Sequence, residues 1–324
     1  MLALEELYKI INEATEKTQW PAEPHYLYAP LKYMLDVGGK RIRPRFCLVT
    51  YNLFKDDIGP HIVNPAMAVE LFHTFTLIHD DIMDNADLRR GRPTIFKKWN
   101  RNIAILSGET MCISSYQLLS STPREYINEV VTLFSKTAIE ICEGQQLDMD
   151  FEEMNNVSME EYVNMITLKT AVLLACAAKM GAIIGGADKE LCNQIYEFGL
   201  KLGLAFQIED DYLDCFGDEK TFGKKIGGDI LNNKKSWLLT RCREEALLKG
   251  EGAKLDSLLE MEPTDEKIAI FQEFYKELGI NKMAEEAIEK NYYLAMDILK
   301  EMNLTAAQKT QLQQFATSLI KRIK

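Results

Sequence analysis

Two Asp-Asp-x-x-Asp pentads stand far apart in this chain. One is Asp80, Asp81 and Asp84 in TLIHDDIMDNADLRRGRPT, the other Asp210, Asp211 and Asp214 in LAFQIEDDYLDCFGD. On an α-helix, at about 100° per residue, the first and last acids of each set lie about 40° apart on one face and about one turn apart in height. Their carboxylates can converge on the same ions, while Asp81 and Asp211 stand to the side. Carboxylate oxygens suit hard Mg2+, which takes one or two protein carboxylates, keeps waters and fills its shell with substrate phosphate. Two like charges about 4 Å apart repel by roughly 4 kcal/mol at an effective dielectric of 20. The preceding runs FTLIH and GLAFQI are apolar enough for a core. Three acids at the end of such a helix are costly unless cations compensate. The alternative is a water-facing helix end, and the basic residues that follow each set argue against it.

Basic residues fall in three places. In GGKRIRP, Lys40, Arg41 and Arg43 follow two glycines and precede Pro44, which can open a helix. Such a turn can present an ammonium and a forked guanidinium to a phosphate. Arg89, Arg90 and Arg92 follow the first acid set closely, as direct phosphate contacts beside a metal–diphosphate seat would. The third place is the glycine- and lysine-rich segment 217–235, GDEKTFGKKIGGDILNNKK, which follows the second acid set and has the character of a lid or ligand clamp. Lys169 and Thr170 interrupt an otherwise apolar helix, where a lysine can simply snorkel. His73 lies about 10 Å below Asp80 along the helix axis, where a satisfied core histidine is the ordinary case.

Helices must position these groups. Apolar residues recur at three- and four-residue spacing, good helix formers dominate between Pro123 and Pro263, and alternating β patterns and Asn-Gly hairpin signals are absent. The patterns predict helices over 2–17, 25–36, 44–54, 64–83, 101–120, 124–150, 159–184, 189–215, 235–248, 264–278, 282–302 and 305–322. Ser158 with Glu161 forms a capping box, and Asp188 marks another start. The chain has 324 residues, 47% hydrophobic and 27% charged, an ordinary globular balance. Its net charge of −11 argues against a general nucleic-acid binder. Seven scattered cysteines without a C-x-x-C pair, and four histidines without zinc spacing, fit a reducing compartment and exclude a zinc site. The N-terminus lacks a signal-peptide layout, and AVLLACAAKMGAIIGG carries Lys179 and is short for a bilayer span. A soluble, cytoplasmic protein is expected.

The chain resembles the trans-isoprenyl diphosphate synthases (polyprenyl synthetases), including farnesyl and geranylgeranyl diphosphate synthases. The resemblance covers nearly the whole chain and rests on GGKRIRP, HDDIMDNADLRRGRPT, EGQQLD, LKTA, QIEDDYLD and FGKKIGGDILNNKKS in the family's order. It implies an all-α fold over 1–324, one domain of mostly antiparallel helices around a deep pocket, and a homodimer. It implies head-to-tail 1′–4 condensation of isopentenyl diphosphate with an allylic diphosphate, with Mg2+ as cofactor, three ions per active site. By resemblance Asp80, Asp84 and Asp210 ligate Mg2+ that bridges the allylic diphosphate, and Asp81, Asp211 and Asp214 support that cluster. Arg89, Lys169, Lys224 and Lys234 match allylic-diphosphate positions, and Lys40, Arg43, His73 and Arg90 match the isopentenyl diphosphate site. Thr170 and Gln207 match groups facing the developing allylic cation and the proton leaving it, and Gln145 and Asp148 line the same chamber.

In the family, bulky residues four, five or eight positions before the first acid form the floor for the growing tail. Here these are Thr76, Phe75 and Phe72. Phe75 lies about 7.5 Å below Asp80 along the axis. One or two phenylalanines there imply a short product, and the small Thr76 favours twenty carbons over fifteen. Ser236 and Asn233 depart from the threonine and glycine common at those places. A terpene cyclase would keep the first acid set but replace the second and dispense with GGKRIRP. A non-catalytic subunit of a heteromeric synthase would lose acids or basic contacts. An acidic helical Ca2+-binding or scaffold protein would release no diphosphate from any allylic primer.

Overall fold

The structure, a computed structural model, describes residues 1–218 and 226–320. In chain order the elements are α1 Leu4–Glu16, α2 His25–Asp36, α3 Ile42–Asn52, α4 Pro60–Met83, β1 Leu88–Arg89, β2 Arg92–Pro93, α5 Ile95–Lys98, α6 Arg101–Leu119, α7 Ile127–Glu153 and α8 Met159–Ile166. A π-helical turn, Thr167–Ala171, joins α8 to α9 Val172–Gly185. There follow α10 Lys189–Phe216, α11 Gly228–Leu231, α12 Trp237–Lys249, α13 Gly252–Leu259, α14 Asp265–Leu278, α15 Ile280–Glu301 and α16 Ala306–Ile320. The all-α fold expected from periodicity is what the chain adopts. Among the described residues, the β1–β2 pair is the single piece of sheet, antiparallel, with Leu88 opposite Pro93 and Arg89 opposite Arg92.

The residues group into two compact units, each discontinuous in sequence. The first takes Met1–Ser135, Cys176–Tyr196 and Asn303–Phe315; the second takes Lys136–Ala175, Glu197–Met302 and the chain from Ala316.

In the first unit α4 carries the acid end. Its N-terminus lies four residues earlier than the predicted 64. Pro60 follows Gly59, whose carbonyl accepts from Ile62 and Val63 at 3.1 and 2.9 Å, and a proline is well suited to a first helical position. Pro65 then lies inside the helix and is buried. The core here joins Leu31, Met34 and Leu35 of α2 to Leu71, Ile78 and Ile82 of α4 and to Ala104 and Met111 of α6. Each leucine, isoleucine or methionine among these, fully buried, contributes roughly 1.5–3 kcal/mol.

In the second unit Ser158 and Glu161 form the expected capping box, and Ser236 and Thr264 cap α12 and α14. Its core collects Phe151, Tyr162, Ile166, Leu204, Ile208, Trp237, Phe271, Phe274 and Tyr275. The expected single helix 159–184 contains the π-helical turn, which no propensity rule foretells. The same helix corrects the length argument made on AVLLACAAKMGAIIGG. That stretch belongs to a 27-residue helical run, Met159–Gly185, long and apolar enough to cross a membrane, with 78% of its most apolar window buried inside the protein. Burial of this kind is what a core helix shows.

Candidate active site

The first acid set lies at the C-terminal end of α4, where the helix dipole places partial negative charge and the last turn holds no basic residue. Asp84 is the C-cap, its N–H donating to the Asp80 carbonyl at 2.8 Å. Compensation comes from the β1–β2 hairpin. Arg89 Nε donates to Asp81 Oδ1 at 2.8 Å, and its Nη2 lies 2.6 Å from that oxygen and 3.2 Å from Asp80 Oδ2. The side chains of Asp81, Asp80 and Arg89 are only 2%, 18% and 20% exposed, so this is a partly desolvated pair. Burial pushes the Asp81 carboxyl above the ordinary carboxylate range, against the pull of Arg89. Asp84 is exposed.

The hairpin turn also aims Arg90. Arg90 and Gly91 both have positive φ, 53° and 73°, and Thr94 closes the base by bonding Asp87 and Ala86 carbonyls at 3.0 and 2.8 Å. The Arg90 guanidinium lies against Gly39; a Cβ on Gly39 would come within 2.5 Å of Nη1. Gly39, the second glycine of GGKRIRP, is therefore what lets Arg90 approach that turn. Beneath it, His73 has Arg43, Arg90 and Arg89 as charged neighbours. Burial first, and those guanidinium groups second, hold its imidazole well below its usual pKa, so it is neutral at pH 7. Arg43, His73 and Arg90 are thus brought together, with exposed Lys40 on the adjoining turn. Glu70 joins them: burial raises its carboxyl, and Arg43, Arg41, Arg90 and Arg45 oppose that shift. Sequence reasoning missed Glu70; the available signal was an acid inside an apolar run, three residues before His73 and on its face.

Lower on α4, Phe72 is buried with its ring 5.3 Å from Phe75 and 5.2 Å from Phe134. Phe75 stacks edgewise on His79 at 4.7 Å. Thr76 turns its hydroxyl back to the His73 carbonyl at 2.8 Å. Phe75 and Thr76 are half-buried and Phe72 is fixed in the core.

In the second unit Asp210, Asp211 and Asp214 occupy the last turns of α10, again without a basic residue in the last turn. Asp211 is 7% exposed and accepts from the Trp237 N–H at 2.7 Å, from Gln207 Nε2 at 2.9 Å and from the Tyr162 hydroxyl. Gln207 in turn accepts from the Thr170 hydroxyl at 3.0 Å. Burial, with the nearby Asp229 carboxylate, raises the Asp211 carboxyl to about 7 against those donors. Asp214 accepts from the Asp229 N–H at 2.9 Å, which ties α10 to α11. Asp210 is half-buried. Its side chain makes contacts of its own.

Lys169 and Thr170 project from the π-helical turn. Gly144 of α7 packs against it so closely that a Cβ would lie 2.3 Å from the Lys169 backbone nitrogen. One turn along α7, Asp148 accepts from Lys169 Nζ at 2.5 Å and lies 3.8 Å from Lys234 Nζ. Gln145, between them in sequence, has its amide nitrogen buried without a partner. Lys224 lies outside the described residues. π-Turns of this kind recur at functional sites, and here the turn delivers two of the polar groups singled out in the sequence.

Among the described residues no three His, Cys, Asp or Glu side chains are gathered into a preformed metal cage. Mg2+ asks for less: one or two carboxylates, with water and phosphate completing the shell. The donor chemistry is all-oxygen, and at Asp80 and Asp81 a guanidinium already stands where a cation belongs. The residues fit the ion.

Residues 24–278 match the family model described as polyprenyl synthetase. The chain belongs to the polyprenyl synthetase family. It is a prenyltransferase. A geranylgeranyl diphosphate synthase of Methanosarcina mazei is 37% identical over 323 residues, covering 96% of this chain and 94% of that protein. A geranylfarnesyl diphosphate synthase of Natronomonas pharaonis is 35% identical over 301 residues, covering 88% and 86%. A crystal structure of a geranylgeranyl pyrophosphate synthase superposes with a TM-score of 0.92 at 42% identity over 99% of both chains. For this synthase the terpene-cyclase reading and the scaffold reading fall away.

Proposed function

We propose that this prenyltransferase condenses isopentenyl diphosphate head to tail with allylic diphosphates and releases geranylgeranyl diphosphate. The observation that carries the reading is that cations are seated against acids singled out in the sequence, Arg89 against Asp80 and Asp81 of the first set, and Lys169 and Lys234 against Asp148. Asp80, Asp84 and Asp210 are the proposed Mg2+ ligands, while Asp81, Asp211 and Asp214 brace their helix ends. The ion would neutralise charge on the departing diphosphate. Arg89, Lys169 and Lys234 do the same with fixed positive charge, a preorganised electrostatic contribution. Lys40, Arg43 and Arg90, with neutral His73, are assigned to isopentenyl diphosphate. Thr170 and Gln207, bonded to each other, present oxygen lone pairs without a strong nucleophile, which suits an allylic cation that water must not reach.

Twenty carbons is the product that Phe75 and the small Thr76 support, together with the names of two relatives. A twenty-five-carbon product is the second reading, favoured by the same small residue at 76 and by the Natronomonas relative. The family match runs through residues of both units, which supports one synthase domain over 1–324. Leu106 and Ile113, 57% and 68% exposed and seven residues apart on one face of α6, support a homodimer. A cytoplasmic location fits seven cysteines held as thiols. The test is incubation with Mg2+, isopentenyl diphosphate and each short allylic primer, followed by product sizing, with Asp80→Ala and Asp210→Ala beside it. A C20 product from wild type and a loss of at least a hundredfold in both variants are expected. Retained turnover in both variants would overturn the metal assignment, and a C15 or C25 product would overturn the chain length.

A further inference from the structure

The turn between α11 and α12 carries Lys234 and is built around an unusual clamp. Asn233 holds the left-handed backbone conformation, φ 50°, that is usually left to glycine. Asn233 donates through its side chain to the Leu259 carbonyl at 3.0 Å and accepts from Lys267 Nζ at 2.9 Å. Lys267 is 1% exposed. Its two other protons go to the Met261 and Leu259 carbonyls at 3.1 and 3.2 Å. All three donors of the ammonium are used, and every acceptor is neutral. The bonds themselves are all to neutral oxygens, so the Coulombic return for desolvation comes from the nearby Glu262 carboxylate alone, and burial still holds the ammonium below its ordinary pKa. Packing alone would be met by a methionine of similar length. What the ammonium adds is direction: it pins the end of α13, the start of α14 and the side chain of residue 233 to one point.

The residue next to that point is Lys234. Its N–H donates to the Asp229 carbonyl at 2.9 Å and its own carbonyl accepts from Ser236 at 2.7 Å. Its ammonium reaches to 3.8 Å from Asp148, the acid that also holds Lys169. Loosening Asn233 would therefore release the turn on one side only, because Asp229 and Trp237 remain fixed to α10 through Asp214 and Asp211.

We propose that Lys267 is a positioning residue for prenyl transfer: through Asn233 it fixes the turn that bears Lys234 and so sets the affinity for the allylic diphosphate. This rests on the assignment of Lys234 to that substrate made above. The test uses the full-length enzyme with Lys267→Met, Asn233→Gly and the double variant. Asn233→Gly keeps the left-handed conformation without strain and removes both side-chain links. It carries the test even if Lys267→Met fails to fold. The expected result is a KM for the allylic diphosphate raised about five- to tenfold, the scale of a modest misplacement. KM for isopentenyl diphosphate should stay within about twofold, and amide exchange over 229–236 should quicken. The double variant should be no worse than either single one, since both cut the same link. Asn233→Asp, which keeps the acceptor for Lys267, should restore most of the affinity. Unchanged allylic KM in an active Asn233→Gly enzyme, or an equal rise in both KM values, would overturn the proposal while leaving the function intact. An inactive wild type would instead overturn the function.

Discussion

Gly144→Ala tests the π-helical turn with one methyl group. A Cβ at 144 would lie 2.3 Å from the Lys169 nitrogen and 2.8 Å from both Leu168 C and Lys169 Cα. All three are backbone atoms, so no side chain can swing away. Ordinary contact begins near 3.4 Å, so α7 and the turn must separate by about 1 Å. Overpacking of this kind costs about 1–3 kcal/mol, offset by about 1 kcal/mol because alanine is the better helix former. The net loss of stability is therefore small, on the order of 1 kcal/mol. The functional loss is larger. The shift moves Lys169 and Thr170 away from Asp148 and Gln207, to which they bond at 2.5 and 3.0 Å. A displacement of about 1 Å at a reacting centre can cost on the order of a hundredfold in rate. Steady-state kinetics with an allylic primer, beside a thermal melt, separate the two effects. A Gly144→Ala enzyme with kcat/KM within about twofold of wild type would refute the argument that this close approach sets the position of Lys169 and Thr170.

Three other outcomes are expected. Tyr162→Phe removes one of three donors from buried Asp211 and should cost about 1–3 kcal/mol in urea unfolding; an unchanged midpoint would count against that network. Phe75→Ala, at a half-buried ring, should lengthen the product on reversed-phase chromatography, whereas Phe72→Ala, in the core against Phe134, should chiefly destabilise by about 3–5 kcal/mol; identical products from wild type and Phe75→Ala would refute the floor. Because the folded pKa of His73 lies well below its ordinary 6.5, the unfolded chain binds the proton first, and this residue removes stability as pH falls below about 6.5. His73→Gln should flatten that acid limb by up to about 1.4 kcal/mol per pH unit, and parallel wild-type and variant curves from pH 7 to 5 would contradict it.

Much of the molecule was legible in advance because long helices announce themselves. The predicted 25–36 coincides with α2, and the ends of α6, α10 and α14 were located to within a residue. Ser158 and Asp188 were readable as caps because a short oxygen-bearing side chain before an apolar run has a local task. What escaped was set by distant partners. The π-helical turn is a response to Gly144 packing from another helix, and nothing within TLKTA itself encodes it. The β1–β2 pair is too short for any alternation to register, and its clue was the Arg90-Gly91 dipeptide. Lys267 was invisible because a lysine three residues after a cap reads as solvated; only the neighbouring carbonyls of Leu259 and Met261 make it a core residue. AVLLACAAKMGAIIGG lies in a helical run that begins at Met159, long enough to cross a membrane and mostly buried inside the protein.

Because Arg89 is already bonded to Asp80 and Asp81, part of the negative charge at the tip of α4 is offset before anything binds. A bare cation drawn there competes with the guanidinium for the same oxygens, so simple ions gain less from the site. A ligand that brings its own anion leaves Arg89 a new counter-charge in exchange for the old one. The carboxylate pair thus discriminates by the sum of charges delivered together, and rewards paired arrival over sequential loading.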